Sequence, residues 1–298
     1  MTNLFFKFMK LNTFLLVLIF SNSLLYSQSP WTKKKGGFYT QLGFSAISKY
    51  NEVFGNPDYY THREITDNTF QLYGEYGISD KTTVLLNVPY KIIKTGTLTS
   101  KTGFAPSTTQ AETINTFGNI ELGAKHNFYN NKWLLTGQLT IELNTGEYYE
   151  FSGIRTGYDA FTFTPLLNIG RSFNNYYIQA FTGLNFRTNG YSSNFKVGSE
   201  VGYKIIDKIW FIGFLDFVFS LENGNFEVPI QNTLTSLYIN DQEYTAFGLK
   251  AIGEITSKIG LTTGFGGAFT GNNVAKEVAI NFGFYYKMNS KKTILLLK

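Results

Sequence analysis

Apolar and polar residues alternate along extended stretches of the chain. From Val84 to Ile92 every second residue is apolar, while Thr83, Asn87 and Lys91 stand on the other set of positions. Successive side chains of a β-strand point to opposite faces, so this pattern predicts strands with one apolar and one polar face. Residues 69–78 carry the same alternation, and the polar turn around Asp80 predicts that the two stretches form a hairpin.

The pattern recurs often enough to predict twelve strands between about residues 36 and 288. Short turns at 79–82, 130–132, 174–175, 207–208 and 257–258 alternate with longer links at 49–67, 95–117, 145–158, 188–193, 223–242 and 270–273. Outer-membrane barrels sort their connections in this way, with short periplasmic turns and longer extracellular loops. We therefore predict an all-β fold, a single transmembrane antiparallel β-barrel whose apolar rows face lipid. A soluble secreted β-protein is the alternative, but its core would have to accept the polar rows.

The first residues have the features of an export signal. Lys7 and Lys10 precede an apolar run from Phe14 to Phe20, and small polar residues follow. The run is much shorter than the roughly 20 apolar residues of a membrane-spanning helix, which is the alternative interpretation. We predict a cleavable signal peptide at 1–27, a barrel domain at 28–298 with a short C-terminal tail at 289–298, and location in the outer membrane of a Gram-negative cell.

Composition narrows the class of protein further. The chain is 17% aromatic, contains 29 Gly, 6 Pro and no Cys, and has a mean hydropathy of −0.10. No second long apolar run is present, which argues against a helical membrane protein. The formal charge of +5 falls to +3 when Lys7 and Lys10 leave, and no basic stripe crosses the body, so nucleic acid is not an expected partner.

Charged residues on the polar rows are the candidates for lining a lumen. They are Glu75, Lys91, Glu121, Lys125, Glu142, Arg187, Lys196, Glu200, Lys204, Asp216, Lys250, Glu254, Glu277 and Lys287. Seven acids balance seven bases, whereas a field of one sign would indicate an ion-selective pore. The set therefore fits either an ion-pair network that fills the barrel or the wall of a solute path. Seven aromatics near strand ends are predicted to form interfacial girdles: Tyr73, Tyr90, Trp133, Tyr203, Trp210, Tyr285 and Tyr286.

The link at 95–117 is a candidate gate at the outer mouth. It carries little charge, and Phe104 and Pro106 within it could form an apolar constriction. A plain surface loop is the alternative, in which case residues 222–241 become the next candidate.

No catalytic, metal-binding or cofactor-binding set is evident. His62 and His126 are the only histidines, and no serine or asparagine flanks His126 on its own row as a hydrolase site on a barrel surface would need. We expect no enzyme activity, no cofactor and no metal. The expected partners are outer-membrane lipid, the barrel-assembly machinery and a small apolar solute.

Several turn and strand motifs resemble a known family. They are Tyr76-Gly77-Ile78-Ser79-Asp80-Lys81, Pro89-Tyr90, and Gly118 followed by Lys125. Together with the closing stretch "LTTGFGGAFTGNNVAKEVAINFGFYYKM", this pattern resembles outer-membrane channel proteins of the phenol meta-pathway (MetA-type phenol degradation) family. Asn119 stands where that family usually has Asp, and Phe117 stands where glycine is common. The leader and the Asn/Lys/Phe-rich style resemble proteins of the Bacteroidota.

The resemblance and the residue pattern lead to the same functional expectation. The barrel is expected to be a porin-like channel for passive passage of small, hydrophobic or aromatic, solutes. A structural or surface-interaction barrel that does not transport is the alternative, and an outer-membrane enzyme is a third.

Overall fold

The computed structural model describes residues 28–99 and 109–289, and nearly all of them belong to β-structure or its connections. The strands are β1 (Phe38–Phe54), β2 (Tyr59–Gly77), β3 (Thr82–Thr95), β4 (Glu112–Phe117), β5 (Glu121–Asn130), β6 (Leu134–Glu142), β7 (Tyr148–Tyr149), β8 (Ile154–Arg155), β9 (Thr162–Ser172), β10 (Tyr176–Arg187), β11 (Asn194–Ile206), β12 (Ile209–Ser220), β13 (Glu243–Glu254), β14 (Ile259–Asn272), β15 (Val274–Ala275) and β16 (Ala279–Met288). A single-turn helix, α1 (Ile230–Thr233), lies between β12 and β13.

The sheet closes on itself because β1 pairs with both β2 and β16. Around the wall the order is β1, β2, β3, β5, β6, β9, β10, β11, β12, β13, β14 and β16, with every pair antiparallel. β4 also pairs with β3, beyond the end of β5. β4 and β5 therefore occupy one position in the barrel wall and together form one interrupted strand. The predicted closed barrel of twelve antiparallel strands is confirmed. β7 and β8 form a separate small hairpin.

The interruption between β4 and β5 follows from Pro89. Asn87 pairs with Glu121 and Tyr90 pairs with Phe117, so residues 88–89 face the three residues 118–120. Proline has no N–H for the ladder, and a bulge is one of the few places where a strand accepts it. The Gly118 N–H donates to the Pro89 carbonyl at 2.9 Å, which keeps the wall closed across the extra residue.

The five predicted short turns are all present at one end of the barrel, which is the periplasmic end of such a fold. They join β2 to β3, β5 to β6, β9 to β10, β11 to β12 and β13 to β14. Within 28–99 and 109–289, no helix is long and apolar enough to cross a membrane.

The outer links differ from the prediction. The expected link at 49–67 is mostly strand: β1 continues to Phe54, β2 begins at Tyr59, and Tyr50 pairs with Ile65. Inward and outward side chains still alternate in this region, and Tyr50 and Ile65 are buried. The inward side chains are both polar and apolar, so the sequence lacks the alternation of polarity that predicts a strand. The links at 95–117 and 270–273 likewise contain strand, in β4 and at the end of β14.

Candidate functional site inside the barrel

The two faces of each strand differ in exposure as the alternation predicts. On β6, Leu139 is 48% exposed while the adjacent Gln138 is only 4% exposed. Thr136 and Thr140 are buried beside Gln138, so the polar row points into the barrel. Within the described part of the chain the apolar row stays exposed, which leaves it for lipid. The candidate functional site is therefore the space enclosed by the polar rows.

Charged side chains in this space form pairs near the periplasmic half. Glu75 accepts from Lys125 at 2.6 Å and lies 3.1 Å from the Lys33 ammonium. Lys250 pairs with Glu200. The last pair joins β13 to β16, through Glu254 and Lys287. These contacts bring together residues of strands far apart in sequence. Such pairs reduce the cost of keeping charge inside the wall.

A second group of charges lies closer to the outer end. Glu121 and Glu142 are direct cross-strand neighbours. The Asn119 amide donates to Glu142 at 2.7 Å, and Lys196 lies within electrostatic reach of both carboxylates and of Asp216. Lys91 pairs with Asp67 at 2.9 Å. Arg187 contacts the Ser192 carbonyl, Asn194 and the face of Tyr158. Asp67 has no place among the predicted residues, because residues 49–67 read as a loop in the sequence.

One of the predicted charges is not inside: Glu277 is exposed and precedes β16, because the last strand begins only at Ala279. Lys204 lies on the inward row at the periplasmic rim, over the Trp210 ring and 3.8 Å from the exposed Asp207. The prediction of an interfacial girdle was wrong for three aromatic residues, because their side chains point into the barrel. They are Tyr73, Trp210 and Tyr285. Tyr73 and Tyr285 are buried, and Tyr73 donates to Glu75 at 2.7 Å. Trp210 packs against Tyr177 inside the wall.

Residues 28–37, called the N-terminal segment here, enter the barrel from the periplasmic end. The Pro30 carbonyl accepts from Thr136 at 2.7 Å, and the Ser29 carbonyl accepts from Lys125 at 3.4 Å. The Lys33 N–H donates to Thr83 at 2.7 Å. Trp31 meets Tyr177 edge-to-face at 5.3 Å between ring centroids. The segment therefore crosses the lumen from β1 to the far wall, using backbone groups that polar inward side chains satisfy.

A cavity of about 440 Å³ lies between this segment and the wall of β10 to β16. Aromatic rings and paired charges share its lining. The rings belong to Trp31, Tyr39, Tyr177, Trp210 and Tyr285, and the charged pairs are Glu200–Lys250 and Glu254–Lys287. This volume falls in the range of small-molecule sites. The cavity can offer flat apolar surfaces together with hydrogen-bonding groups to a small solute.

Two links fold into the outer mouth and are called the outer plug here: residues 145–158 and 223–242. Asn232 of α1 is fully buried, where its side-chain oxygen accepts from Arg155 at 2.7 Å and its amide donates to the Leu237 carbonyl at 2.9 Å. Gly153 has φ +71, and a Cβ there would lie 1.9 Å from the Gln231 carbonyl oxygen. The two links thus interlock through close backbone contact.

Apolar packing fastens the outer plug to the wall. Tyr50, Ile65, Ile93 and Ile114 of the wall form one buried cluster with two residues of the plug. Those two are Ile154 and Leu237. A second cluster joins Tyr158, Ala160 and Tyr191, with Phe226 and Tyr238 packed against it. A small hydrophobic core therefore occupies part of the outer mouth.

Arg63 supplies the polar attachment of the plug. It is 1% exposed, and its guanidinium donates to the carbonyls of Ser152 at 2.5 Å, Leu234 at 3.2 Å and Gln231 at 3.3 Å. A further donation reaches Gln110 at 3.4 Å. Five N–H donors in one planar group suit this arrangement of several backbone acceptors. The sequence analysis did not single out Arg63. Its position two residues before Ile65 on one alternating row indicates that both side chains point to the same face.

The two sequence candidates for a gate have different outcomes. Phe104 and Pro106 lie outside the described residues. Residues 222–241, the second candidate, include most of one half of the outer plug and do enter the mouth. In the part of the chain described, no cluster of three or more His, Asp or Glu side chains is arranged to hold a metal ion. His126 is exposed on the apolar row and lies 2.9 Å from Thr82.

Comparison with solved structures places the fold among outer-membrane barrels. An outer-membrane channel from Pseudomonas putida F1 matches with TM-score 0.68 at 12% identity, over 90% of this chain and 100% of that one. The translocator domain of the autotransporter NalP from Neisseria meningitidis matches with TM-score 0.51 at 10% identity, over 84% and 88%. The NanC porin matches with TM-score 0.50 at 8% identity, over 84% and 100%. Identities this low show the fold alone.

Comparison by sequence adds no family. No protein-family model matches the chain, and no curated protein matches it. The class that the structure defines is therefore an outer-membrane β-barrel of twelve strands.

Proposed function

We propose that this barrel is a channel for small solutes, closed at rest by the outer plug and the N-terminal segment. The observation that carries the proposal is the cavity of about 440 Å³ that lies inside the barrel between the N-terminal segment and the wall. A barrel that served only as structure would gain stability from filling this space with side chains, because voids forfeit packing contacts. The outer plug consists of loop residues, and the other closure is the N-terminal segment. Release of either would leave the twelve barrel strands unchanged.

Small aromatic molecules are the solutes we propose for this path. Trp31, Tyr177 and Trp210 present ring faces in the cavity, and aromatic rings pack favourably against other aromatic rings. Gln179 and Thr262 add hydrogen-bonding groups to the same lining. Acids and bases in the lining are paired, which favours neutral solutes over ions of one sign. The resemblance to the MetA-type phenol degradation family supports the same solute class, and the resemblance of the leader to proteins of the Bacteroidota supports a Gram-negative source.

The proposal includes export through a signal peptide cleaved near Gln28. Residues 29–33 of the N-terminal segment make contacts inside the barrel, so a chain cut near Gln28 would keep them. Sequencing the amino terminus of the protein from outer membranes tests the cleavage site. A start beyond Lys33 would remove this closure from the account.

Flux measurements test the channel directly. Liposomes containing the barrel should admit a small phenol faster than empty liposomes, and Arg63→Met should increase the rate because it detaches the outer plug. Lys49→Gln serves as the matched control, since Lys49 is an exposed outer cation that holds no part of the plug. Absence of flux in the wild type and in Arg63→Met, with both barrels folded, would contradict the channel.

A barrel that does not transport is the second candidate. The observation in its favour is the hydrophobic core that occupies part of the outer mouth. This candidate predicts that Arg63→Met lowers plug stability and leaves liposomes as impermeable as before.

A further inference from the structure

The periplasmic rim carries a ring of lysines. Within the described ranges, its exposed cations are Lys34, Lys35, Lys81, Lys132, Lys208 and Lys258, while its exposed acids are Asp80 and Asp207. Four of the five short turns contribute one of these lysines. The remaining turn, between β9 and β10, is flanked by Arg171. The ring therefore follows the circumference of the barrel rather than forming a patch on one side.

The opposite end has the reverse sign. Among the described residues it exposes eight carboxylates, including Glu147, Glu150, Glu222 and Glu227, against three lysines. The basic rim is thus a local feature of one end and not a consequence of the overall charge. Outer charges of this sign would repel an anionic surface, whereas the periplasmic rim would attract one.

Aromatic residues fix the depth of the lysines. Trp133 and Tyr203 are exposed on the outer surface close to the short turns, where interfacial aromatics sit at the headgroup level of a bilayer. Lys132 directly precedes Trp133, and Lys208 lies in the turn that follows β11. Arg171 lies over the Trp133 ring, 5.7 Å from its centroid. The lysine ammonium groups can therefore extend into the headgroup layer while their stems cover apolar surface.

We propose that the basic rim binds the anionic phospholipid headgroups of the periplasmic leaflet. The phosphate of each headgroup would pair with the rim ammoniums and the lipid tails would pack on the exposed apolar rows. Lysines near an anionic membrane surface attract it electrostatically, and the attraction falls off within a Debye length. The binding makes the barrel prefer phosphatidylglycerol over a zwitterionic neighbour in its lipid annulus.

Spin-labelled lipids test this preference in reconstituted bilayers. The wild-type barrel should restrict labelled phosphatidylglycerol more than labelled phosphatidylcholine, and added salt should reduce the difference because it screens exposed charges. The rim variant Lys81→Gln/Lys132→Gln/Lys208→Gln should lower the preference about twofold or more. The outer variant Lys49→Gln/Lys94→Gln/Lys276→Gln, which removes the same charge from the other end, should keep it.

Several results would overturn the proposal. Equal restriction of the two labels around the wild type would do so without any variant, as would a preference unaffected by salt. A rim variant that is folded, as shown by its band shift on heating, and that keeps the wild-type preference would also overturn it. Lysine-dependent binding of soluble anionic peptidoglycan fragments with no lipid preference would assign the rim to a different partner.

Discussion

The outer plug and the N-terminal segment close the same barrel by different physical means. The plug buries Ile154 and Leu237 in a hydrophobic cluster, and the guanidinium of Arg63 donates to several of its backbone carbonyls. The N-terminal segment is held by hydrogen bonds to Thr83, Lys125 and Thr136, by one aromatic contact and by the ion pair of Lys33 with Glu75. The plug behaves as a small core, in which contacts are lost together. The N-terminal segment is an extended stretch of backbone, and its contacts can break one at a time.

This difference explains where the cavity lies. Among the described residues, those of the outer plug pack into hydrophobic clusters, whereas the extended N-terminal segment leaves a cavity of about 440 Å³ beside it. A solute from the periplasmic side would meet the weaker closure first. The variants below separate the two closures, in order of decreasing expected effect.

Arg63→Met should have the largest effect. It removes the donor from several buried carbonyls, and two of these contacts, to Ser152 and Leu234, are well-formed hydrogen bonds to a charged group. At about 1.5–3 kcal/mol each, their loss should destabilise the plug by about 3–6 kcal/mol. Limited proteolysis of the folded barrel should then cut within residues 145–158 or 223–242. Cleavage no faster than in Lys49→Gln would show that Arg63 does not hold the plug.

Leu139→Arg tests the assignment of faces on which both closures depend. Arginine on the lipid face near the midplane costs about 2–4 kcal/mol, while the adjacent Gln138→Arg points into the polar interior. Reversible unfolding in lipid vesicles should show the difference as a lower midpoint for Leu139→Arg alone. Equal stabilities of the two variants would place Leu139 somewhere other than against lipid.

Gly153→Ala should loosen the plug by a smaller amount. A left-handed backbone conformation costs a non-glycine residue about 1–2 kcal/mol, and the new Cβ would also press on the Gln231 carbonyl. Proteolysis of the plug should be faster than in the wild type but slower than in Arg63→Met. Gly253→Ala is the control, because a Cβ at that position meets no atom within 4 Å. The same protection in both glycine variants would argue against tight interlocking of the links.

Thr136→Val should release the N-terminal segment and leave the outer plug unchanged, although it also removes the acceptor of the Asn127 amide in the wall, 3.0 Å away. It removes the donor to the Pro30 carbonyl, a loss of about 1 kcal/mol, or about fivefold in the population of the released segment. A cysteine placed by Ser29→Cys reports the release through its rate of thiol labelling from the periplasmic side. The labelling rate should rise in Thr136→Val and stay unchanged in Arg63→Met. A rise in both would mean that the closures are coupled.

Much of the barrel could be predicted from the sequence, because the alternation has period two wherever one face meets lipid. The five short turns and the twelve barrel strands follow from that constraint. Leu139 and Gln138 lie on the predicted faces. The prediction lost accuracy at the outer end, where the strands rise above the membrane. There the inward row mixes Thr61, Arg63 and Ile65, so no single polarity marks the face.

The closures could not be predicted, since their contacts join residues distant in sequence. Asn232 binds Arg155 across 77 positions, and Thr136 binds the Pro30 carbonyl across 106 positions. Alternation specifies which way a strand residue points but not which loop fills the space opposite. The same limit explains Tyr73 and Tyr285, whose inward orientation depends on register near the strand ends.

Single-channel conductance tests the central claim most directly, namely that two independent closures lie in series along the lumen, with the cavity beside the N-terminal segment. Four barrels are needed: the wild type, Arg63→Met, a chain lacking residues 28–33, and the combination of both changes. Resistances in series add, so opening one closure leaves the other limiting. The account predicts that the combined variant gains more conductance than the sum of the two single gains. A combined gain equal to one single gain, or to their simple sum, would contradict it.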